Sequence, residues 1–279
     1  MINEGNFVIF TDLDGTLLDP LSYSYALTKP IITELIKRGI PIIFCSSKTR
    51  AEQLFYRQKL GVKDPFIVED GGAIFIKRGY FPFRFPYQRV RGSYHIIELG
   101  KPYKEIRTKV KEISKEHNLK IRGFGDMTPE EVAKLTGLSI KLASLAKKRE
   151  YEETLNLEGE EEEIKSILQK IEDSGLTLSR GGRFFSVSVG NDKGRATKIL
   201  TQLLKRKLGH IKVIGIGDSL NDAPMLSQVD LPILVQKPGG YWEEIKLENL
   251  HRVEGIGPEG WVRAVEKLLL APCRTDNLA

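Results

Sequence analysis

Phe7-Val8-Ile9-Phe10-Thr11-Asp12-Leu13-Asp14-Gly15-Thr16 is the stretch that decides the fold. Its first four residues form an unbroken apolar run, the pattern of a strand covered on both faces in a parallel sheet flanked by helices. The run then gives way to a polar loop carrying two carboxylates two residues apart. Open α/β sheets bind ligands at the carboxyl ends of their strands, so Asp12 and Asp14 stand where chemistry is placed. A calcium-loop reading fails, because such a loop needs glycine at its sixth position and Leu17 stands there.

Downstream, Lys29 to Lys37 carries apolar residues at helical spacing, with Pro30 suited to a first turn and Gly39 to a cap. Ile40 to Cys45 reads as a second buried strand, so strand, helix and strand make a right-handed parallel crossover. The same grammar returns late: helix Lys193 to Lys207, strand Lys212 to Ile216, a helix from Ser219, strand Leu231 to Val235 and helix Gly260 to Leu269. The fold class expected is α/β: a doubly wound, mostly parallel, Rossmann-like core with an inserted α+β cap. The core is expected over 1–83 and 187–279 and the cap over 84–186. Within the insertion, strands are expected at Tyr94 to Leu99, Thr154 to Glu158, Leu176 to Ser179 and Phe184 to Val189. Thr128, Pro129 and Glu131 there spell a capping box.

The 279 residues, 41% of them apolar, can fill two cores. Lys plus Arg number 43 against 37 Asp plus Glu, a net charge of +6 that is not gathered into a basic tail. Glu160 to Glu163 form an acidic block, so no nucleic-acid partner is expected. The two cysteines, Cys45 and Cys273, have no zinc or redox spacing and point to a reducing cytoplasm. No run of about 18 apolar residues occurs, so no membrane partner is expected.

Further candidates sit at other strand ends. Ser46-Ser47-Lys48-Thr49-Arg50 offers a hydroxyl and two cations to a phosphate, and Lys193 opens a helix. Asp218, Asn221 and Asp222 follow the apolar run Val213 to Ile216. Acids and an amide crowded at a buried strand end repel one another without a cation. Phosphoryl transfer needs positioning, charge neutralisation, an in-line nucleophile and an acid for the leaving oxygen. Asp12 can attack phosphorus, Asp14 can serve as acid and base, and Lys193 with Ser46 can hold phosphoryl oxygens. Mg2+ takes oxygen ligands, here Asp12, Asp218 with Asp222 beside it, and the backbone carbonyl of Asp14.

These residues resemble the four ordered motifs of the haloacid dehalogenase superfamily of phosphatases: Asp12 to Thr16, Ser46, Lys193 and Gly217 to Asp222. Ser47 to Glu52, Phe124 to Thr128, Lys134 to Leu138, Arg149 to Tyr151 and Arg180 to Phe184 are similar to the mannosyl-3-phosphoglycerate phosphatases. The resemblance implies a small anionic sugar-phosphate substrate carrying both phosphate and carboxylate, with the larger type of cap. Arg180 and Arg183, flanking Gly181-Gly182, are then candidates for the second anion, and Arg149 is a cap candidate. Glu69-Asp70-Gly71-Gly72 reads as a glycine turn, with Asp70 or Gly72 within reach of sugar hydroxyls. Other sugar phosphates, a phosphohexomutase and a non-catalytic anion-binding module remain open alternatives.

Overall fold

The computed structural model describes residues 7–181 and 184–270. In chain order it begins with β1 (Phe7–Thr11), α1 (Lys29–Lys37), β2 (Ile42–Cys45), α2 (Arg50–Leu60), β3 (Phe66–Val68), β4 (Ala73–Lys77), β5 (Arg89–Arg91) and β6 (Tyr94–Glu98). Then come α3 (Tyr103–Glu116), β7 (Arg122–Gly123), α4 (Pro129–Thr136), α5 (Ile140–Ala146), β8 (Glu152–Asn156), α6 (Glu161–Asp173), β9 (Thr177–Gly181) and β10 (Phe184–Ser188). The chain finishes with α7 (Lys193–Leu208), β11 (Lys212–Gly217), α8 (Ala223–Leu226), β12 (Leu231–Gln236), β13 (His251–Ile256) and α9 (Pro258–Leu270).

The large sheet runs β13-β12-β11-β1-β2-β3-β4-β6-β5, parallel from β13 to β3 and antiparallel beyond. β1 lies near its middle, paired with β11 on one side and β2 on the other. Its unbroken apolar run follows from this position. Ile9 enters the apolar layer that contains Trp261 of α9, while Val8 and Phe10 enter the opposite layer with Leu200 and Leu204 of α7. The indole of Trp261, fully buried, donates to Thr11 Oγ1 at 3.0 Å and fixes the strand's last residue.

The expected strand at Tyr94 to Leu99 forms, but not in the insertion. As β6 it pairs with β4 and extends the large sheet, because Ile96 feeds one apolar layer and Ile97 the other. The helix expected from Ser219 begins as a 3₁₀ turn over Leu220–Asp222 before α8. β3 and β4 form the expected hairpin, and its connection is a 3₁₀ turn in which Glu69 and Asp70, at φ of 49° and 52°, take positive φ alongside Gly71.

A second sheet, β7-β8-β10-β9, is antiparallel. Leu155, Val187 and Leu178 on one of its faces pack on α3 and α6 with Ile106, Val110, Ile167 and Ile171. Thr128 caps α4 with the capping box that its sequence spells. The chain passes from one sheet to the other beside Gly72, whose carbonyl accepts from the N–H groups of Leu99 and Gly100 at 2.9 Å. It returns alongside, where Lys101 N–H donates to Val189 O at 3.0 Å. Phe10 is fully buried. Phe10→Ala is therefore expected to lower unfolding free energy by ~3–5 kcal/mol, measured by urea denaturation.

Candidate active site

β1, β2 and β11 end side by side, and the residues that follow them converge. Lys193, the first residue of α7, is almost fully buried among carboxylates. Its Nζ lies 2.8 Å from Asp222 Oδ1, 3.1 Å from Asp12 Oδ1 and 3.3 Å from Asp70 Oδ1. Burial works against its charge, yet Asp12, Asp222 and Asp70 hold the ammonium well above its ordinary range. Asp70 reaches this point because the left-handed turn at residues 69–70 aims it there. Asp70 Oδ2 accepts from Ser179 at 3.1 Å and its Oδ1 from Asn221 Nδ2 at 3.3 Å.

Asp12, Asp218 and Asp222, all buried, each bring one carboxylate oxygen within 4.8 Å of the others. Burial raises Asp12, opposed by Lys193 and reinforced by Asp222 and Asp218. Burial, then Asp222, pushes Asp218 up to about 7. Three buried carboxylates this close carry an uncompensated charge, and an all-oxygen donor set suits a hard divalent cation. Gly15 leaves room for it: a Cβ there would stand 2.9 Å from Asp218 Oδ2. Asp222 is the most heavily engaged of the three. Its Oδ2 accepts from the N–H groups of Asp218 and Ser219 at 3.0 and 3.2 Å, and its Oδ1 takes Lys193.

Asp14 turns away from this cluster and opens to a cleft, its side chain 39% exposed. Lys48 Nζ holds its Oδ2 at 2.9 Å, and Glu52 Oε1 lies 3.2 Å from the same ammonium. The rings of Tyr23 and Tyr56 flank Lys48 at 5.1 and 5.6 Å. Glu52 is fixed by the capping box of α2, since its Oε2 accepts from Thr49 N–H and Oγ1 at 2.9 Å. Ser46 is fully buried, and its Oγ accepts from Lys48 N–H at 3.3 Å. Cys45 beside it is a packed side chain whose thiol burial pushes far up.

The cleft holds about 640 Å³ and lies between the two sheets' units. Asp12, Asp14, Lys48, Asp218 and Asn221 line one side; Phe124, Lys134 to Leu138, Arg149, Thr154, Phe184 and Ser186 line the other. Arg149 enters from before β8, donating to Ser47 O at 2.7 Å and to Glu152 Oε1. Four expected ligand contacts are placed elsewhere. Arg50 lies outside the lining and donates to Glu150 at 2.7 Å. Gly72 is covered by protein, since a Cβ there would stand 2.4 Å from Tyr151 Cβ. Arg180 is exposed with its guanidinium 5.2 Å from the Phe185 ring, outside the lining, and Gly181 ends β9 beside it. Gly182 and Arg183 lie outside the described residues. In the cleft wall, Phe124 and Phe184 fall within stretches that the family resemblance picks out, whereas Thr154 and Ser186 were assigned no role, and β8 and β10 show no alternation of burial that would mark them.

A family model of haloacid dehalogenase-like hydrolases matches residues 9–237. The chain belongs to that family. Among its relatives, the glucosyl-3-phosphoglycerate/mannosyl-3-phosphoglycerate phosphatase of Methanococcoides burtonii is 44% identical over 263 residues, covering 94% of this chain and 97% of the relative. The mannosyl-3-phosphoglycerate phosphatase of Pyrococcus furiosus is 45% identical over 249 residues, 89% of this chain and 96% of the relative. A solved structure from Thermoplasma acidophilum shares the fold with a TM-score of 0.65 at 17% identity, covering 95% of this chain and 99% of that one.

In this haloacid dehalogenase-like hydrolase, Glu69 fastens the two units. Its buried carboxylate accepts from three successive N–H groups at the entry to β8: Glu150 at 3.0 Å, Tyr151 at 2.6 Å and Glu152 at 2.9 Å. Burial pushes Glu69 up to about 7, against the pull of Arg149 and of the Tyr151 and Glu150 N–H groups. A carboxyl raised on folding binds protons more tightly when folded, so its contribution is complete below the unfolded value near 4.5 and fades as pH rises through about 7. Glu69→Gln removes this titration. Relative to wild type, the variant should gain on the order of 1–3 kcal/mol of unfolding free energy between pH 5 and pH 8, read from urea curves at the two pH values.

Proposed function

We propose that this chain is a Mg2+-dependent phosphatase that releases phosphate from mannosyl-3-phosphoglycerate, leaving mannosylglycerate. The observation that carries the chemistry is the pairing of Asp12 and Asp14: two carboxylates two residues apart that line one cleft, one belonging to the three-aspartate cluster and the other outside it. The substrate follows from relatives at 44% and 45% identity, which act in name on glycosyl phosphoglycerates.

Asp12 attacks phosphorus in line and forms an aspartyl phosphate as the bond from phosphorus to the glycerate oxygen breaks. Asp14 gives its proton to that oxygen, then takes one from water, whose oxygen attacks the phosphoryl group and regenerates the Asp12 carboxylate. Lys193 and Ser46 hold phosphoryl oxygens, and Lys193 also offsets repulsion between Asp12 and the incoming dianion. Asp12, Asp218 and the Asp14 carbonyl would hold Mg2+, which when bound would supply Lewis-acid neutralisation of the phosphoryl charge. Asp222 acts through Lys193 and the loop that carries Asp218. Lys48 positions Asp14. For the carboxylate we assign Lys134, a cleft cation that makes no ion pair with the described residues, in place of Arg180. The cap is the inserted segment between β6 and α7, narrower than 84–186 because β5 and β6 belong to the large sheet.

Phosphate release is expected with Mg2+ and not with EDTA, and Asp12→Asn should lower kcat by at least about 10³-fold with the melting temperature retained. Release from hexose phosphates far outrunning release from mannosyl- and glucosyl-3-phosphoglycerate would overturn the substrate reading. Independently of turnover, millimolar Mg2+ should raise the wild-type melting temperature, and Asp218→Asn should remove most of that rise in a thermal shift titration.

A further inference from the structure

The cap sheet has two unlike faces. Leu155, Val187 and Leu178 look toward its helices. By the strand period of two, Glu152 and Thr154 of β8, Ser186 of β10 and Ser179 of β9 look the other way. Thr154, Ser186 and Ser179 are cross-strand partners in one row, and Thr154 and Ser186 line the cleft that contains Asp12 and Asp14.

This row is buried yet incompletely hydrogen-bonded. Thr154 is 5% exposed and its Oγ1 has no partner; Glu152 is fully buried and its Oε2 has none. The adjoining Arg149 leaves its Nε unmatched. Ser186 Oγ makes one long bond, 3.4 Å to Glu152 Oε1. An unmet buried polar group costs about 1–3 kcal/mol, so two on the cleft wall, at Thr154 and Arg149, mark a place where a ligand completes the bonding. The wall offers a guanidinium donor and two hydroxyls that donate or accept, with the Glu152 carboxyl next to them on the same sheet face. A phosphate or carboxylate would satisfy the donor and be repelled by Glu152. A ring of hydroxyls, each able to give and accept, satisfies all of them.

We propose that Thr154, Ser186 and Arg149, held in place by Glu152, form the subsite that binds the sugar ring's hydroxyls and makes the enzyme prefer glycosylated phosphate esters over bare ones. The proposal rests on the phosphatase reading above and names the part of the substrate that this cap face holds. Thr154 and Ser186 act on binding specificity, and the phosphoryl chemistry remains with Asp12 and Asp14.

The test is the ratio of kcat/KM for mannosyl-3-phosphoglycerate over 3-phosphoglycerate in wild type, Thr154→Val, Thr154→Ser and Ser186→Ala, with glucosyl-3-phosphoglycerate and hexose phosphates alongside. Thr154→Val keeps the side chain's shape and removes its hydroxyl. The ratio should fall about tenfold in Thr154→Val and in Ser186→Ala, and Thr154→Ser should restore it to within about threefold of wild type. A ratio unchanged within about twofold in both hydroxyl-deleted variants, or a wild type without preference for sugar esters, would overturn the subsite. Should wild type favour a hexose phosphate, the glycosyl-phosphoglycerate assignment fails, and the ratio of that ester to 3-phosphoglycerate decides the subsite by the same criterion. Ser186→Ala gives an independent reading if Thr154→Val does not fold.

Discussion

Everything at the site depends on one buried ammonium. Lys193 stands at the first turn of α7, where the helix dipole disfavours a cation, and it is held there by Asp12, Asp70 and Asp222. Those carboxylates come from the end of β1, the turn after β3 and the loop after β11. One charge thus ties three distant stretches of sequence to one point. The helix tolerates it because Asp192 caps its start, accepting from Gly194 and Arg195 N–H at 2.7 and 3.1 Å. Removing Lys193 would leave three buried carboxylates without their cation, which costs more than a pair itself contributes. The same carboxylates, together with Asp218, exceed what Lys193 can neutralise, and this surplus is what makes the place suitable for a divalent cation.

The core was legible from the chain because its signals are local. Each buried strand is an apolar run, and each functional residue of the core follows one within a few positions, so Asp12, Asp14, Ser46 and Asp218 could be placed by strand ends alone. Helix α1 keeps the limits that its spacing predicts, because Pro30 and Gly39 mark its ends. Lys193 carried little signal by itself and gains meaning only from the three carboxylates around it.

The cap side was less legible, for reasons that can be named. Arg180 follows the strand expected at Leu176 to Ser179 and flanks glycines, as a ligand-binding arginine would, but it lies within β9 and its side chain lies over Phe185 on the exposed surface. Glu152 and Thr154 look like any alternating strand until β10 and the cleft are in place beside them. Residues 94 to 98 read as a strand that suits either sheet, and pairing with β4 decided the matter. Glu69 gave no sign of its task, since its three donors lie more than 80 residues downstream.

The bond from Lys101 N–H to Val189 O places the outgoing and returning strands side by side. A segment whose two ends already touch closes its own loop, and its length adds only slowly, as a logarithm, to the entropy of ordering the rest. Evolution could therefore trade this whole segment for another of different size or shape without rethreading the large sheet. A lineage could acquire new substrates by exchanging a cassette while the inherited chemistry stayed in register.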